Sequence, residues 1–380
     1  MSDKIGIIDT DHYFYIYSLI SIYSVNNNQI VVYTTPKIYQ RCQIDLKGKL
    51  NIAYKIQKEN ESWPDFIMRN ADEINADGFD YFYILPIYNF YKEHYHFIRR
   101  LKTFNILVVF NLNGWINPSL ISFRWFRNSW YKRKIINKIK WIAIDEHFHN
   151  HALSLGCKNN IVHIPSLLFD PSKYNDRERG EKIKFIYPGS IDNRRRDYSI
   201  VFNAILKLLD HSQNFEVVLL GDPIGKYGNE IIQNALSINE KYKVQIFKCY
   251  PNGYTDEEFV SQISDGDILV TSIIKVFELD GIVEIYGESK STGSCFDILA
   301  YAIPGIFPDW LSINSRFDSS TIRYKNTDDL YLLLKSLVNE PERVKCLRKV
   351  ALENSMYYSI ENVRSRLMND LSFINNKSEQ

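Results

Sequence analysis

The chain has 380 residues, of which 45% are hydrophobic and 24% are charged, a balance typical of globular domains rather than of disordered segments. This length is sufficient for two domains of ordinary size. The formal net charge of +1 provides no global attraction to a polyanion, so we expect no nucleic-acid partner.

The five cysteines are scattered and lack CxxC spacing, which argues against a disulfide framework and a zinc site. The N-terminal stretch interrupts its apolar residues with Asp9, Asp11 and His12 and lacks the basic segment of a signal peptide. No window reaches the roughly 18 apolar residues of a spanning helix. We therefore expect a cytoplasmic protein that is soluble or attached to the inner face of the membrane.

Short β-branched runs alternate with helical patterns in the first half, which is typical of a parallel sheet covered by helices. The predicted strands are 4–9, 29–35, 79–87, 105–112, 140–145 and 161–165. We predict a Rossmann-like domain over 1–170. A polar, charge-dense stretch follows and is predicted to be a linker over 171–182.

The strand pattern then restarts and predicts a second Rossmann-like domain over 183–355. Its predicted strands are 182–190, 215–223, 243–250, 265–273 and 304–308. From Asn326 to Asp370 the apolar residues follow helical spacing.

A loop rich in arginine follows the first strand of this second unit and reads PGSIDNRRRDY, 188–198. Ligands of open parallel sheets bind beyond the carboxyl ends of the strands, and arginine forks grip phosphate oxygens with two hydrogen bonds. A diphosphate site is therefore one interpretation, and a solvated charged loop is the other. The candidates are Gly189, Ser190, Arg194, Arg195 and Arg196.

The stretch YGESKSTGSCFDILAYAIPGIFP, 286–308, places a lysine and small residues before an apolar helical run. If a helix begins near Thr292, its unpaired N–H groups and Lys290 form an anion site together with Ser291 and Gly293. Asp297, one turn later, is placed to accept hydrogen bonds from a ribose. The alternative is an ordinary helix N-cap beside an incidental lysine.

Together with CYPNGY, 249–254, these motifs resemble the donor half of GT-B glycosyltransferases, the large bacterial family that includes sucrose-synthase-like and mannosyltransferase-like enzymes. In that family the stretch reads approximately E, seven residues, E, then AMAxGxPVI. Here Asp297 stands in place of the second glutamate and Ala302 in place of the glycine. Ser289 occupies the position of the first glutamate, and Glu288 is its neighbour.

The resemblance implies an α/β GT-B fold in which two Rossmann-like domains face each other across a cleft and the helix at 356–380 crosses back to the first. It implies a glycosyltransferase that moves a sugar from a nucleotide-diphosphate donor to a glycan or lipid-linked acceptor, in bacterial surface polysaccharide synthesis. A nucleotide-sugar 2-epimerase of the same fold and a non-catalytic protein that binds nucleotide sugar or glycan are the alternatives.

On the donor side, the resemblance implies that Asp297 binds the ribose and that Lys290 and the arginines bind the diphosphate. It places Tyr250 and Tyr254 near the base and Glu288 near the donor sugar. No cofactor and no metal are expected, because side chains and a helix dipole can neutralise the leaving diphosphate.

The first domain must then present the acceptor and, in an inverting reaction, a base that deprotonates it. The resemblance makes Asp11 or His12, directly after the first strand, the candidate base. The expected acceptor-side residues are Asp9, Asn111, Asn113 and Trp115.

Two features invite a metal interpretation that we do not favour. DTD at 9–11 and DGD at 265–267 do not follow the middle strand of a single nucleotide domain. The histidines of DEHFHNH, 145–151, alternate along the chain, and a helix would splay them apart rather than converge them on one ion.

The segment 122–141 contains seven basic residues, no acidic ones and several aromatic residues. This composition is typical of a helix at a membrane surface and predicts a peripheral membrane contact. A charged helix whose aromatic side chains pack inward on the sheet is the alternative.

Overall fold

The computed structural model describes residues 2–24, 28–46, 51–118, 125–174, 180 and 182–378, with the backbone alone at 45 and 372–378. Two parallel sheets follow one another along the chain and are flanked by helices. This architecture confirms the prediction of two Rossmann-like α/β units. The exact domain boundaries stay a prediction, since 175–179 and 181 of the predicted linker lie outside the described residues.

The first sheet has seven parallel strands in the order β3-β2-β1-β4-β5-β6-β7. Its strands are β1 (Lys4–Asp9), β2 (Gln29–Thr34), β3 (Ile52–Ile56), β4 (Tyr81–Ile84), β5 (Asn105–Val108), β6 (Trp141–Ile144) and β7 (Asn160–His163). Its helices are α1 (Tyr13–Tyr23), α2 (Pro36–Asp45), α3 (Trp63–Asp77), α4 (Tyr91–Arg100), α5 (Leu112–Ile116), α6 (Phe126–Lys138) and α7 (His149–Ser154). The prediction missed β3, an edge strand whose residues are only partly buried and whose sequence therefore lacks a continuous apolar run.

The second sheet has six parallel strands in the order β10-β9-β8-β11-β14-β15, and β12 and β13 form a separate antiparallel hairpin. The strands are β8 (Ile183–Pro188), β9 (Phe215–Leu220), β10 (Phe247–Cys249), β11 (Ile268–Val270), β12 (Val276–Leu279), β13 (Ile282–Ile285), β14 (Gly305–Pro308) and β15 (Thr321–Tyr324). The helices are α8 (Tyr198–Leu209), α9 (Gly225–Tyr242), α10 (Asp256–Ser264), α11 (Gly293–Ala300), α12 (Thr327–Asn339), α13 (Pro341–Met356) and α14 (Ile360–Ser378). The hairpin and β15 were not predicted.

Local sequence explains where the helices of the second half begin. Thr255 caps α10 by accepting from the backbone N–H of Glu258, whose side chain in turn accepts from the N–H of Thr255. Asp197 caps α8 by accepting from the N–H of Ser199. These caps start each helix at a fixed residue after a strand, so the strand-to-helix loops have defined lengths.

The C-terminal helix returns to the first half of the chain, as expected. The backbone N–H of Phe169 donates to the carbonyl of Tyr358 at 3.0 Å, just before α14 begins. α14 then packs against α1, and Leu367 and Leu371 are buried there in the apolar core that continues into the second half. The two sheets are therefore connected both by the linker region and by this returning helix.

The hairpin of β12 and β13 is the feature of the fold that matters most for the cleft. Its two-residue turn is Asp280-Gly281, and both residues have the positive φ angles, 55° and 70°, that this turn type requires. The tip reaches the first half, where Asp280 pairs with the buried Lys132 at 2.9 Å and accepts from the Tyr91 hydroxyl at 3.3 Å. The alternating pattern VFELDGIVEI contained the signal for this hairpin.

Replacing Lys132 by alanine should lower the free energy of unfolding by about 3–5 kcal/mol, because the carboxylate of Asp280, which is 13% exposed, loses its buried cation. Chemical denaturation measures the change. Arg133→Ala, which removes an exposed basic side chain from the same helix, is the matched control and should change stability little. The double variant Lys132→Met/Asp280→Asn should recover part of the loss. Equal stability of Lys132→Ala and Arg133→Ala would contradict the assigned role of the ion pair.

Candidate functional site

A cleft lies where loops at the carboxyl ends of the strands of the two sheets approach each other. Lys290 Nζ donates to Asn111 Oδ1 at 2.7 Å across it, and the N–H of Leu112 donates to the carbonyl of Ser289 at 2.8 Å. Farther along, His147 Nε2 lies 2.8 Å from the carbonyl oxygen of Gly287. Loops after β5 and β6 therefore contact the segment between β13 and α11 directly.

On the first-half side, Asp9 and His12 form a hydrogen-bonded pair directly after β1. His12 Nδ1 lies 2.8 Å from Asp9 Oδ1, and the other carboxylate oxygen of this buried aspartate accepts from the backbone N–H groups of Asp11 and His12. The His12 ring packs against Tyr88 and Phe110, with centroid distances of 5.3 and 5.5 Å. When Nδ1–H donates to Asp9, Nε2 carries the lone pair that can take a proton. Asp11 itself is exposed.

Tyr88 extends this group towards the second half. Burial, and next the charge of Asp9, raise the pKa of its hydroxyl, while the positive charge of Arg195 opposes the rise. Tyr88, which is 40% exposed, therefore contacts the His12 ring and lies within electrostatic range of Arg195.

Lys290, a predicted phosphate ligand, lies in the cleft as a half-buried ammonium. Burial lowers the pKa of Lys290 to about 8, against the opposing effect of Glu284. Besides its bond to Asn111, its Nζ lies 4.9 Å from the Phe277 ring centroid and 5.8 Å from that of Tyr286. A weakly solvated cation beside aromatic rings is suited to an anionic ligand.

Helix α11 begins at Gly293, as predicted, and its first turn remains open. Thr292 precedes it but makes no side-chain capping bond, and the space beside Gly293 is empty to 4 Å. The Ser294 hydroxyl is buried and has no hydrogen-bond partner among the described residues. Ser291 is half-buried on the same loop. The N–H groups at a helix N-terminus and the unpaired hydroxyl are suited to an anion.

Asp297 lies one turn into α11 and is 8% exposed. Burial raises the pKa of Asp297 to about 7, and the nearby positive charge of Arg196 opposes that rise. Tyr254 lies in the same group, since burial and then the charges of Asp222 and Asp297 raise the pKa of its hydroxyl to about 12. Tyr250 packs edge-on against Tyr254 at 6.1 Å. The predicted ribose and base residues are therefore neighbours.

The three consecutive arginines have different environments. Arg196 is buried, donates to the Ser190 carbonyl at 3.1 Å and lies so close to Gly189 that a Cβ there would be 2.1 Å from the guanidinium. Its Nε has no hydrogen-bond partner among the described residues. Arg195 is exposed, with its guanidinium 5.8 Å from the Phe277 ring centroid. Arg194 is mostly solvent-exposed and pairs with Asp192 at 3.0 Å, so Arg196 and Arg195 are the better-placed phosphate ligands.

The region of the missing motif glutamate contains a carboxylate that the sequence prediction overlooked. Glu288 is exposed, whereas Ser289 is fully buried. Glu284, 1% exposed, shares a side-chain hydrogen bond with Ser289 and accepts from the N–H of Gly114 at 2.8 Å and of Asn113 at 3.3 Å. Burial raises the pKa of Glu284, and those bonds oppose the rise. The sequence signal for this site was an acidic residue at a position where the alternating pattern of the hairpin predicts an inward-facing side chain.

The predicted acceptor-side residues separate into two groups. Asn111 faces the cleft through Lys290, and Asn113 Nδ2 donates to the Val283 carbonyl at 2.9 Å, so both take part in the contact between the halves. Trp115 is 3% exposed and packs edge-on against Tyr91 in the core of the first half. In this position Trp115 supports the wall of the cleft but presents no ring to an acceptor, which corrects the expectation.

The histidines of 145–151 have separate partners, and of these contacts only that of His147 with Gly287 crosses between the halves among the described residues. His149 Nδ1 lies 2.9 Å from His163 Nε2, while His147 contacts Gly287 as described. Within the described part of the chain, no three His, Cys, Asp or Glu side chains come together as a metal site.

The basic, aromatic segment forms helix α6, although 122–124 lie outside the described residues. Phe126 and Trp130 are exposed, and Lys134 Nζ lies 3.5 Å from the centroid of the Trp130 ring, whereas Trp141 is buried in the sheet. The aromatic residues are thus divided between surface and core. None of the helices in the described part of the chain combines the length and hydrophobicity of a membrane span.

No protein-family sequence model matches the chain, and no curated protein matches it by sequence. Solved structures match it over almost the whole length. Anabaena HepE, determined with UDP and glucose, superposes with a TM-score of 0.67 at 9% identity, covering 97% of this chain and 99% of HepE. The N-terminal domain of Candida albicans trehalose-6-phosphate phosphatase gives a TM-score of 0.66 at 10% identity, with coverages of 98% and 97%.

A putative UDP-N-acetylglucosamine 2-epimerase from Listeria monocytogenes is also similar, with a TM-score of 0.61 at 11% identity and coverages of 98% and 96%. The chain therefore has the GT-B fold of glycosyltransferases and related sugar-nucleotide enzymes, as the sequence motifs implied. At these identities the similarity concerns the fold alone.

Replacing Glu284 by glutamine should lower the pKa of Lys290 below about 8, because Glu284 is the group whose charge raises it. The free energy of unfolding should also fall by about 1–3 kcal/mol, since two buried N–H groups lose a charged acceptor. NMR titration of isotope-labelled lysine and chemical denaturation measure the two effects. Glu288→Gln, an exposed change four residues away, is the control. An unchanged Lys290 titration in Glu284→Gln would refute the coupling.

Proposed function

We propose that the protein is a glycosyltransferase of the hexosyltransferase type that transfers a sugar from a nucleotide-diphosphate donor without a metal ion. The observation that carries the proposal is the arrangement of complementary groups across one cleft. The Asp9–His12 pair lies on one side, and Lys290, Arg196 and Asp297 lie on the other. The fold is shared with HepE, which was determined with UDP and glucose, and this supports a sugar-nucleotide donor.

In the proposed complex, the diphosphate binds at the open first turn of α11, beside Lys290 and the guanidinium of Arg196. A phosphate oxygen competes with Asn111 for the ammonium of Lys290 and supplies a charged acceptor in place of the neutral amide. The unpaired Ser294 hydroxyl and Arg196 Nε gain a partner within the same group. Asp297 accepts from the ribose hydroxyls, and Tyr250 and Tyr254 lie beside the base.

In the proposed transfer, His12 Nε2 takes the proton of the acceptor hydroxyl while the hydroxyl oxygen forms a bond to the donor anomeric carbon. The bond from that carbon to the diphosphate breaks, and its electron pair stays on the departing phosphate oxygen. Asp9 stabilises the imidazolium that forms. Lys290, Arg196 and the α11 dipole stabilise the negative charge on the leaving group. Asp11, exposed on the same loop, is the less favourable base.

The proposed acceptor is a glycan or a lipid-linked saccharide, as in surface polysaccharide synthesis. The exposed Phe126 and Trp130 of α6, flanked by basic residues, support a contact with anionic lipid at the inner face of the cytoplasmic membrane. The acceptor side of the cleft and α6 belong to the same domain, so membrane attachment would hold that side near its substrate.

Lys290→Ala should reduce transfer and donor hydrolysis at least about 100-fold, because the leaving diphosphate loses a cation that contributes about 2.7–4 kcal/mol in comparable sites. His12→Ala should abolish transfer to an acceptor while leaving nucleotide affinity nearly unchanged. Product analysis by mass spectrometry with UDP, GDP and dTDP sugars, with and without acceptor, measures both variants.

Lys226→Ala is the matched control, because Lys226 is a solvent-exposed lysine near the start of α9, after a strand of the second sheet, and pairs with Glu230. It should retain wild-type turnover. Full turnover of Lys290→Ala would refute the donor site. Formation of the 2-epimer of the donor sugar without an acceptor would instead identify an epimerase, the activity named for the Listeria structure. Nucleotide binding without any turnover would identify a non-catalytic binding protein.

Nucleotide affinity should be greatest between about pH 7 and about pH 8. Below the first value Asp297 is protonated and accepts fewer hydrogen bonds from the ribose, since its pKa is raised to about 7. Above the second value Lys290 loses its charge, since its pKa is lowered to about 8. Calorimetric titration with UDP across about pH 6 to about pH 9 measures the dependence. A flat profile, or one unchanged in Asp297→Asn, would contradict these assignments.

A further inference from the structure

A large second cavity lies between the two halves, apart from the residues assigned above to the donor. Its volume is about 560 Å³, within the range of about 300–1,000 Å³ that is usual for small-molecule sites. Helix α1 and the chain around 167–174 form one side, and α10, the end of α11 and α13 contribute the other. An occupant would therefore contact both halves of the protein.

Aromatic and apolar side chains dominate both walls. Phe14 on α1 is 40% exposed and Val260 on α10 is 44% exposed. These two side chains offer apolar surface to an occupant without any rearrangement of the core. The other large apolar groups in the lining are Tyr13, Tyr17, Phe259 and Tyr301.

Charged groups of both signs interrupt these walls. Among the described residues of the lining, three are basic, Arg41, Lys173 and Arg348, and three are acidic, Asp170, Asp256 and Glu257. Arg41 links the halves through Asp256 at 2.9 Å while its guanidinium lies 4.3 Å from the centroid of the Tyr13 ring. Its Nε is buried and has no hydrogen-bond partner among the described residues. The cavity thus offers aromatic faces together with polar groups that can bond hydroxyls.

We propose that this cavity binds the saccharide body of the acceptor, as two or three linked sugar rings. Sugar rings combine apolar C–H faces, which pack on aromatic side chains, with hydroxyls that both donate to carboxylates and accept from guanidinium groups. A polyanion gains no net attraction from a lining of balanced charge. A hydrocarbon chain would desolvate six charged groups without bonding any of them.

The position of the cavity agrees with an acceptor role, and this inference rests on the proposed transfer reaction. Helix α1 begins directly after His12, the proposed base, so Tyr13 and Phe14 continue from it along the chain. On the opposite side, Tyr254 beside Asp297 packs on Phe259 at 5.5 Å, and Phe259 packs on Tyr301 at 6.4 Å. The cavity lining is therefore linked to the proposed site by chain continuity in the first half and by ring contacts in the second.

A glycan array probed with the full-length chain tests the proposal. Two variants are compared with the wild type, Phe14→Ala and the matched control Phe90→Ala, each of which removes an exposed phenyl ring at the start of a first-half helix. We expect the wild type and Phe90→Ala to retain the same oligosaccharides. Phe14→Ala should bind them about tenfold more weakly, as expected for loss of an aromatic anchor. Calorimetry should give the same UDP affinity for all three proteins.

Three results would overturn the inference while leaving the donor assignment intact. In the first, the wild type binds UDP but retains no glycan. In the second, both variants bind the glycan equally well. In the third, UDP alone displaces the bound glycan. A further result would also overturn the inference. If Phe14→Ala weakens binding to dodecyl maltoside but not to the maltose oligosaccharides of the array, the occupant is an alkyl chain. Failure of the wild type to bind UDP or any of the other nucleotides would instead overturn the proposed function.

Discussion

A buried charge arrangement between the two halves determines the geometry of the cleft. The ammonium of Lys290, the carboxylate of Glu284 and the amide of Asn111 lie within one small volume from which water is largely removed. Charges in such an environment are costly unless each has a partner, so the two halves satisfy each other there. Glu284 accepts hydrogen bonds from backbone N–H groups at the start of α5, and the side-chain oxygen of Asn111 accepts one from Lys290. The position of the lysine therefore depends on residues from a different domain.

Both sheets could be predicted from sequence because their central strands are short, mostly buried apolar runs, such as IGIID in the first sheet and VVLL in the second. The open start of α11 could also be predicted, since small residues before an apolar run indicate a helix N-terminus. Strands β3 and β15 could not, because edge strands need less apolar sequence and resemble loops. Individual side-chain environments were also beyond prediction. Arg194, Arg195 and Arg196 are identical in sequence terms, yet only the last is buried.

The site illustrates how tertiary contacts decide roles that a motif leaves open. The family pattern directed attention to Ser289 and Glu288, but the buried carboxylate beside Ser289 belongs to Glu284, five residues earlier. The strand pairing of the hairpin places the Glu284 side chain beside Ser289. A linear sequence motif contains no information about that pairing. In the first half, by contrast, the pairing of Asp9 with His12 needs only three residues of sequence separation, and the local backbone suffices to form it. Short-range geometry was accessible to prediction, and geometry that depends on domain contact was not.

The Asp280-Gly281 turn has a mechanical consequence. Ten residues after Asp280, which contacts Lys132 of the first half, the same chain segment places Lys290 at the proposed diphosphate site. Rigid-body separation of the domains would have to break the ion pair at the hairpin tip or bend the segment that contains the lysine. The hairpin therefore keeps a fixed distance between its contact with the first half and Lys290. Because the position of Lys290 depends on that contact, the electrostatic field at the cleft changes with the distance between the domains.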